Sequence, residues 1–240
     1  MDQEKWNEIQ GVHQAEFTPV ASDHRTKTML KWMEENLIPD KQYTSILEIG
    51  FGDGWFMNEL KNKFPKAKIV GLSLAQKEVD YAKKKYGIEA FNGDMHEMPF
   101  GDEEFDLIIH RDVFEHSVAP YLFLKEMQRV LKQDGDIVFG IPSFEWRNFG
   151  THYSVLSPDQ MVHLIHKANL DLQYLRHKCW MFWGMTFGMR GWFYVINKGI
   201  PDDWYGWPVE QEHEYEEHHK ENNEILAEIN NDLEENNYDK

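Results

Sequence analysis

The chain has 240 residues, a net charge of −17 and a hydrophobic fraction of 41%. Such a chain can form one globular α/β domain with appendages, and its composition excludes a disordered protein. No apolar run is as long as a membrane span and the N-terminus lacks a secretory pattern, so we expect no membrane partner. Both the C-terminal tail and the rest of the chain have a negative net charge, so we expect no nucleic-acid partner.

Composition divides the chain into an N-terminal helical cap at 1–45, an α/β domain at 46–198 and an acidic tail at 199–240. Apolar residues at helical spacing predict a helix over 28–37, which would pack on the edge of the domain or cover a ligand. The single cysteine, Cys179, cannot form an intrachain disulfide, which indicates a reducing, cytoplasmic location.

The segment 46–55 is the most informative part of the chain. Its apolar start predicts a buried parallel strand, and three glycines follow at alternate positions: Gly50, Gly52 and Gly54. A strand, a glycine turn and a helix together place a nucleotide at a strand's carboxyl end. The dinucleotide fingerprint needs a third glycine where Trp55 stands, and Glu48 would repel a pyrophosphate, so a cationic or neutral ligand suits the turn better.

Helical and extended patterns alternate after this turn. The predicted helices cover 55–63, 75–86, 119–131 and 157–168, and the predicted strands cover 67–72, 88–91, 105–110, 137–141, 170–177 and 192–197. A turn is predicted at 133–136. This alternation predicts a doubly wound, mostly parallel sheet, and the lack of a long helix between the last two strands predicts one antiparallel strand.

The Glu48–Gly54 motif resembles the first motif of the class I S-adenosylmethionine methyltransferases, an acid followed by Gly-x-Gly-x-Gly. The resemblance covers roughly residues 25–198. It implies a Rossmann-like, seven-stranded sheet with an antiparallel final strand, S-adenosylmethionine as the cofactor, and Glu48 and the three glycines around its methionine end. A buried carboxylate at a helix N-terminus is the structural alternative for Glu48.

Family members usually place an acid for the ribose at the end of the second strand, where this chain has Ser73. The segment 71–76 resembles the cyclopropane fatty acid synthase-like branch, which has a hydroxyl residue here, so Ser73 and Gln76 are the expected ribose contacts. Ser73 could equally cap the following helix.

The third predicted strand leads into Asn92-Gly93-Asp94-Met95, and the resemblance makes Asp94 and Met95 the adenine contacts. Asp94 would accept a hydrogen bond from the exocyclic amine, and the Met95 sulfur would pack on the ring. An ordinary Asn-Gly-Asp turn is the alternative for this segment.

The fourth predicted strand ends where the resemblance places the transferred methyl group. His110 is the first candidate for a catalytic base and a cofactor contact, since histidine titrates near neutral pH. Asp112 and His152 are the next catalytic candidates, whereas Glu115 and His116 are expected to brace the helix start.

The acceptor site is expected from 142–155 and from the aromatic-rich, methionine-rich segment 179–191, where Arg190 could clamp an anion. A homodimer through 180–207 is the alternative use of that region. We expect no metal site, because the tail histidines His213, His218 and His219 lie among acids as exposed histidines commonly do.

The predicted function is methyl transfer to oxygen or nitrogen of a small-molecule acceptor, with a carbon acceptor also open. The alternatives are a protein methyltransferase, a non-catalytic S-adenosylmethionine-binding or assembly protein, and a nicotinamide oxidoreductase. Trp55 and Glu48 argue against the oxidoreductase.

Overall fold

The computed structural model describes residues 29–31, 33, 42–142, 151–181 and 188–198, and for 158, 159 and 171–198 it describes the backbone alone. The helices are α1 (Trp55–Lys63), α2 (Gln76–Tyr86), α3 (Pro120–Val130) and α4 (Pro158–Lys167), with a 3-10 helix at Phe114–His116. The strands are β1 (Ser45–Ile49), β2 (Lys68–Ser73), β3 (Glu89–Asn92), β4 (Phe105–Arg111), β5 (Leu131–Pro142), β6 (Leu170–Met181) and β7 (Gly188–Lys198).

The strands pair in the order β3-β2-β1-β4-β5-β7-β6. The first five of these are parallel, while β7 runs antiparallel to both β5 and β6. The chain reverses its direction of strand addition after β3, and β1 and β4 are neighbours at that point. A doubly wound sheet binds ligands at such a switch point, at the carboxyl ends of the strands. The predicted doubly wound α/β class is therefore confirmed on the five parallel strands and their helices.

Strand β5 begins six residues before the predicted start at 137. Its pairing with β4 jumps from Phe105 opposite Leu131 to Leu107 opposite Asp136, so the intervening residues of β5 bulge out of the ladder. The turn predicted at 133–136 is thus a bulge inside a strand. A glycine–aspartate stretch is typical of turns and of β-bulges, and only the pairing with a neighbouring strand distinguishes the two.

Apolar side chains alternate between the two faces of the sheet, as the period of a strand requires. On β1, Leu47 and Ile49 join a core cluster with α3 and α4, whereas Ile46 joins a second cluster with α1 and α2. The helical residues Met29, Leu30 and Met33 are buried in this second cluster, as predicted for a helix on the domain edge. Within the described ranges, no helix is both long enough and apolar enough to cross a membrane.

Candidate functional site

The glycine turn after β1 is held in a left-handed conformation, with φ of 66°, 56° and 76° at Gly50, Gly52 and Gly54. The backbone N–H of Gly50 donates to the Leu72 carbonyl at 2.8 Å, which ties the turn to β2. A Cβ at Gly50 would overlap the Val113 side chain, while a Cβ at Gly52 would meet nothing within 4 Å. Gly50 is therefore required by packing, and Gly52 borders the open space that a ligand can enter.

Glu48 is buried on the α1 face of β1, with 1% of its surface exposed. Among the described residues its Oε2 has no hydrogen-bond partner. Burial raises the pKa of this carboxyl to about 8, the Arg111 guanidinium opposes the rise and the Asp53 carboxylate adds to it. Arg111 also lies over the Phe56 ring, at 5.6 Å from its centroid. The sequence did not single out Arg111, although its position two residues beyond Ile109 on β4 places it on the same face as Glu48.

Ser73 ends β2 and is bonded to a carboxylate that the sequence analysis missed. Its hydroxyl donates to Glu78 Oε2 at 2.6 Å and accepts from the backbone N–H of Ala75 at 3.1 Å. Ala75, not Ser73, is the N-cap of α2, so the capping alternative for Ser73 is wrong. Burial raises the pKa of Glu78, the Ser73 bond opposes the rise and Asp53 adds to it. The acid in the first turn of α2 is the sequence feature that could have identified Glu78.

Gln76 lies on the exposed side of α2. Its amide donates to Asp80 Oδ1 at 2.8 Å, one turn further along the helix. A ribose contact by Gln76 would compete with this bond, whereas Glu78 already lies against the end of β2. Glu78 is thus better placed than Gln76 to supply the acid that the family has at this strand end.

Three carboxylates therefore surround the glycine turn: Glu48, Asp53 and Glu78. The Asp53 charge raises the pKa of both other groups, which means that the three share one electrostatic environment. A positive charge nearby favours ionisation of the two groups with raised pKa and a negative charge opposes it, so the turn favours a ligand with positive charge and disfavours a pyrophosphate.

Asp94 follows β3 and is held by the histidine two positions later. Its Oδ1 accepts from the His96 backbone N–H at 2.8 Å and from His96 Nδ1 at 2.7 Å. The other ring nitrogen of His96 lies 2.7 Å from the hydroxyl of Ser117, a fully buried residue beyond β4. Since the carboxylate can only accept, Nδ1 of His96 is the donor to Asp94, and in the neutral form of the ring Nε2 accepts from Ser117. Met95, half-buried, packs on the α3-side core cluster.

His110 does not face the open end of the sheet. Its ring is fully buried on the α3 side, with Phe139, Phe123 and Phe114 at centroid distances of 4.7, 5.2 and 6.4 Å. Neither ring nitrogen has a hydrogen-bond partner within the described part of the chain. Burial lowers the pKa of this imidazole to about 3. These observations correct the prediction of His110 as a general base, because the ring is enclosed by phenyl groups and cannot exchange a proton with an acceptor.

Asp112 lies at the strand end itself and has an unusual backbone. Its φ of 50° is left-handed, and its N–H donates to the Gly140 carbonyl of β5 at 2.9 Å. A non-glycine residue in this conformation is strained and is found preferentially at functional sites. Of the two remaining catalytic candidates, Asp112 is therefore the one fixed at the carboxyl edge between β4 and β5.

His152 lies beside the 3-10 helix that follows β4. Its ring meets the His116 ring edge to face, with centroids 5.0 Å apart. The loop that carries it is tied to that helix, because the backbone N–H groups of Tyr153 and Ser154 donate to the Glu115 carbonyl at 2.7 and 2.9 Å. The structure thus brings His152, predicted as a catalytic candidate, together with His116 and the buried Glu115, both predicted to brace the helix start.

Other predicted site residues lie outside what the structure describes. These are 143–150 and 182–187 in the predicted acceptor segments, the side chain of Arg190, and all of 199–240. The acceptor pocket, the dimer interface at 180–207 and the two domain boundaries stay predictions.

Residues 47–139 match the family described as a methyltransferase domain. This segment is a class I methyltransferase domain. The predicted resemblance is confirmed, and the family implies S-adenosylmethionine as the ligand of the cleft.

Relatives of the methyltransferase domain include enzymes named for different acceptors. The chain is 32% identical to malonyl-[acyl-carrier protein] O-methyltransferase of Legionella pneumophila, over 51% of this chain and 47% of that protein. It is 28% identical to sarcosine/dimethylglycine N-methyltransferase of Halorhodospira halochloris, over 55% of this chain and 49% of that protein. The chain thus spans about half the length of these relatives.

The fold of the methyltransferase domain is shared with solved structures at low sequence identity. A putative sarcosine dimethylglycine methyltransferase from Galdieria sulphuraria superposes with a TM-score of 0.61 at 15% identity, over 82% of this chain and 98% of that one. At this identity the likeness establishes the fold alone.

Proposed function

We propose that the protein is an S-adenosylmethionine-dependent methyltransferase that acts on oxygen or nitrogen of a small-molecule acceptor. The observation that carries the proposal is the left-handed glycine turn at the switch point, where Gly52 borders open space beside three carboxylates. A sulfonium ligand matches an acidic cleft, and a nicotinamide dinucleotide with its pyrophosphate does not.

The residues of the cleft fit the parts of that ligand. The turn at Gly52 leaves room for the methionine end, and the acidic groups around it suit the ammonium and sulfonium charges. Ser73 and Glu78, already joined by a short hydrogen bond, offer a hydroxyl and a carboxylate to the ribose hydroxyls. Asp94 is held by His96 at the expected adenine edge, and Met95 lies next to it. When bound, S-adenosylmethionine supplies a methyl group activated by the positive sulfur.

Asp112 is the proposed catalytic residue of this chain. It ends β4 at the carboxyl edge, beside the glycine turn, because its neighbour Val113 packs on Gly50. A carboxylate there can orient an acceptor hydroxyl or amine and accept its proton. Methyl transfer requires chiefly that the acceptor atom be aligned, so a residue with a fixed backbone suits the task.

The proposal of a small acceptor is supported by the relative named for sarcosine and dimethylglycine, whereas the other relative is named for a malonyl group on an acyl-carrier protein. The identity of the acceptor, a homodimer and a cytoplasmic location stay predictions from the sequence.

The test begins with calorimetry of the full chain against S-adenosylhomocysteine and NAD. We expect micromolar affinity for the first and none for the second. Asp94→Ala should weaken S-adenosylhomocysteine binding by about 1–3 kcal/mol, the usual loss when a buried hydrogen-bonding partner is removed. Asp134→Ala, an exposed aspartate in the β5 bulge, is the matched control and should bind as the wild type does.

Transfer from radiolabelled S-adenosylmethionine to small hydroxyl, carboxyl and amine compounds then tests the reaction. Binding of NAD without S-adenosylhomocysteine would contradict the cofactor assignment. Binding without transfer to any small molecule, but with label appearing in added protein, would favour the protein methyltransferase instead.

A further inference from the structure

A compact group of metal-ligating side chains lies just beyond β4, outside the residues assigned to the cofactor. The side chains are those of Glu115, His116 and His152, and one ligand atom from each lies within 4.8 Å of the others. Two come from the 3-10 helix, and the third comes from the loop before α4. This group differs from the tail histidines, the residues that were considered and set aside as a metal site from the sequence.

The tautomer of His116 leaves a ligand atom on the correct side of the ring. Its Nδ1 lies 2.9 Å from the carbonyl oxygen of Thr151, which can only accept, so Nδ1 carries the proton. In the neutral ring Nε2 then keeps its lone pair. Metal-bound histidines typically have this arrangement, in which the second nitrogen donates to a backbone carbonyl and thereby fixes the ring.

The distance between His116 and Glu115 suits two ligands of one ion. Nε2 lies 4.0 Å from Glu115 Oε1, which is too long for a hydrogen bond. Ligands bound to one ion at about 2.0–2.2 Å lie roughly 3–4 Å from each other. Side-chain movements of a few tenths of an ångström would bring the carboxylate and the imidazole onto a common ion.

The backbone holds the third ligand in place before any ion binds. Tyr153 and Ser154 donate to the Glu115 carbonyl, and the Ser154 hydroxyl donates to the Ser117 carbonyl at 2.6 Å. His152 precedes this anchored pair, and its ring already contacts the His116 ring.

We propose that Glu115, His116 and His152 bind one divalent transition-metal ion at the acceptor side of the cleft. Two imidazole nitrogens and one carboxylate oxygen suit Zn²⁺, Mn²⁺, Fe²⁺ or Co²⁺, and not Ca²⁺ or Mg²⁺, which prefer oxygen ligands. The Glu115 side chain is 2% exposed and the His116 side chain 31% exposed, so the carboxylate lies behind the ion and the open coordination positions face outward.

Those open positions would receive an oxygen or nitrogen of the acceptor, and this second statement rests on the proposed methyltransferase function. An acceptor hydroxyl bound to the ion would lose its proton more readily, as metal-bound water does, and would be held at the edge where Asp112 lies. The proposal therefore favours acceptors with a metal-binding hydroxyl or carboxylate.

The experiment uses the full chain, stripped with a chelator and titrated with Co²⁺ by visible absorption and with Zn²⁺ and Mn²⁺ by calorimetry. We expect one ion per chain at this site. His152→Ala and His116→Ala should each lower its affinity by more than about tenfold, since loss of even an outer-shell partner of a ligand typically costs about 10–100-fold. His163→Ala on α4, an exposed histidine, should leave it unchanged.

A second control addresses the tail, where His213, His218 and His219 could bind ions independently. The triple alanine variant of these residues should keep the ion that His152→Ala loses. The proposal is overturned if wild type and His152→Ala bind the same ions equally, or if only the tail variant loses binding.

S-adenosylhomocysteine affinity separates this proposal from the function on which its second part rests. His152→Ala should retain that affinity and its thermal transition, because the residue lies in a loop. Metal binding without S-adenosylhomocysteine binding would support the metal site and contradict the proposed methyltransferase function. The reverse result would remove the metal site alone.

Discussion

Gly52 sets the shape of the cleft through the absence of a side chain. Replacement by valine places a β-branched group at a φ of 56°, where it is strained, and directs it into the open space next to the turn. We expect Gly52→Val to abolish S-adenosylhomocysteine binding, as measured by calorimetry.

Gly87 offers a matched control for this substitution. It ends α2 with a φ of 61°, and a Cβ there would also meet nothing within 4 Å, so the backbone strain is alike. Gly87→Val should lose a similar amount of stability and keep its affinity. Equal loss of affinity in both variants would mean that Gly52→Val weakens binding by destabilising the fold and not by blocking the ligand.

His110→Phe tests whether the buried ring is structural. The variant should keep S-adenosylhomocysteine affinity and turnover, because the imidazole is enclosed by three phenyl rings and has no polar partner within the described residues. A loss of turnover by roughly 10²–10⁴-fold with unchanged affinity would instead restore His110 as a base.

The same substitution should change the acid stability of the protein. The pKa of His110 is lowered to about 3 when folded, against about 6.5 in an unfolded chain, so below pH 6.5 the unfolded state binds a proton that the folded state does not. Wild-type stability should therefore fall as pH falls, by about 2 kcal/mol between pH 7 and pH 5 from this group. Denaturant titrations at the two pH values should show a smaller loss in His110→Phe, whereas His163→Ala should behave as the wild type does.

For single residues, the sequence predicts where a residue lies along a strand more reliably than it predicts which face of the sheet its side chain occupies. The strand ends were predicted well enough to place Ser73, Asp94 and Asp112 at or just after them. His110 was assigned to the cleft because it ends a strand, although its alternation with Ile108 places both on the α3 side. Glu78 was not predicted, because the family resemblance places the acid for the ribose at the end of β2, whereas in this chain the nearby carboxylate belongs to the following helix.

At the scale of elements, the loop before α4 is fixed by the 3-10 helix. The buried Ser154 hydroxyl donates to the Ser117 carbonyl, so Ser154→Ala leaves a buried acceptor without that donor. We expect a loss of roughly 1–2 kcal/mol in the free energy of unfolding. We also expect weaker Co²⁺ binding, because His152 would be less well held.

Ser154→Thr provides the comparison, since it keeps the hydroxyl. Recovery of stability and of Co²⁺ affinity in this variant would assign the effect to the hydrogen bond. If Ser154→Ala changed neither quantity, the backbone bonds to Glu115 alone would hold the loop.

The helices and most strands could be predicted because their apolar periods are clear. Helix α1 agrees with its prediction at both ends, and α2 starts one residue later than expected. The β5 bulge could not be predicted, because a Gln-Asp-Gly-Asp stretch is typical of a turn and only its partner strand makes it part of a ladder. The grouping of Glu115 with His152 likewise depends on loop contacts that no local pattern contains.

For the whole molecule, the acidic tail is expected to be dispensable for folding. Residues 209–240 carry 12 acidic and two basic residues, and the described sheet ends with β7 at Lys198. Removal of 209–240 should leave a cooperative thermal transition and unchanged S-adenosylhomocysteine affinity. Some loss of melting temperature is allowed, because Ile225, Ile229 and Leu233 form an apolar stripe that can dock.

A chain truncated at 198 offers a sharper comparison. If removal of 209–240 abolished cooperative unfolding, the tail would be part of the fold and the predicted boundary would be wrong. If only the shorter chain failed, residues 199–208 would be part of the domain.

A chain of hydrogen bonds links Asp94, the proposed adenine contact, through His96 to Ser117, whose carbonyl accepts from the Ser154 hydroxyl in the loop that carries His152. A compound that orders the loop should therefore tighten S-adenosylhomocysteine, and thermodynamic linkage requires S-adenosylhomocysteine to tighten that compound by the same factor. A candidate acceptor could then be recognised because it changes the affinity of the protein for S-adenosylhomocysteine, and no methylated product would have to be detected.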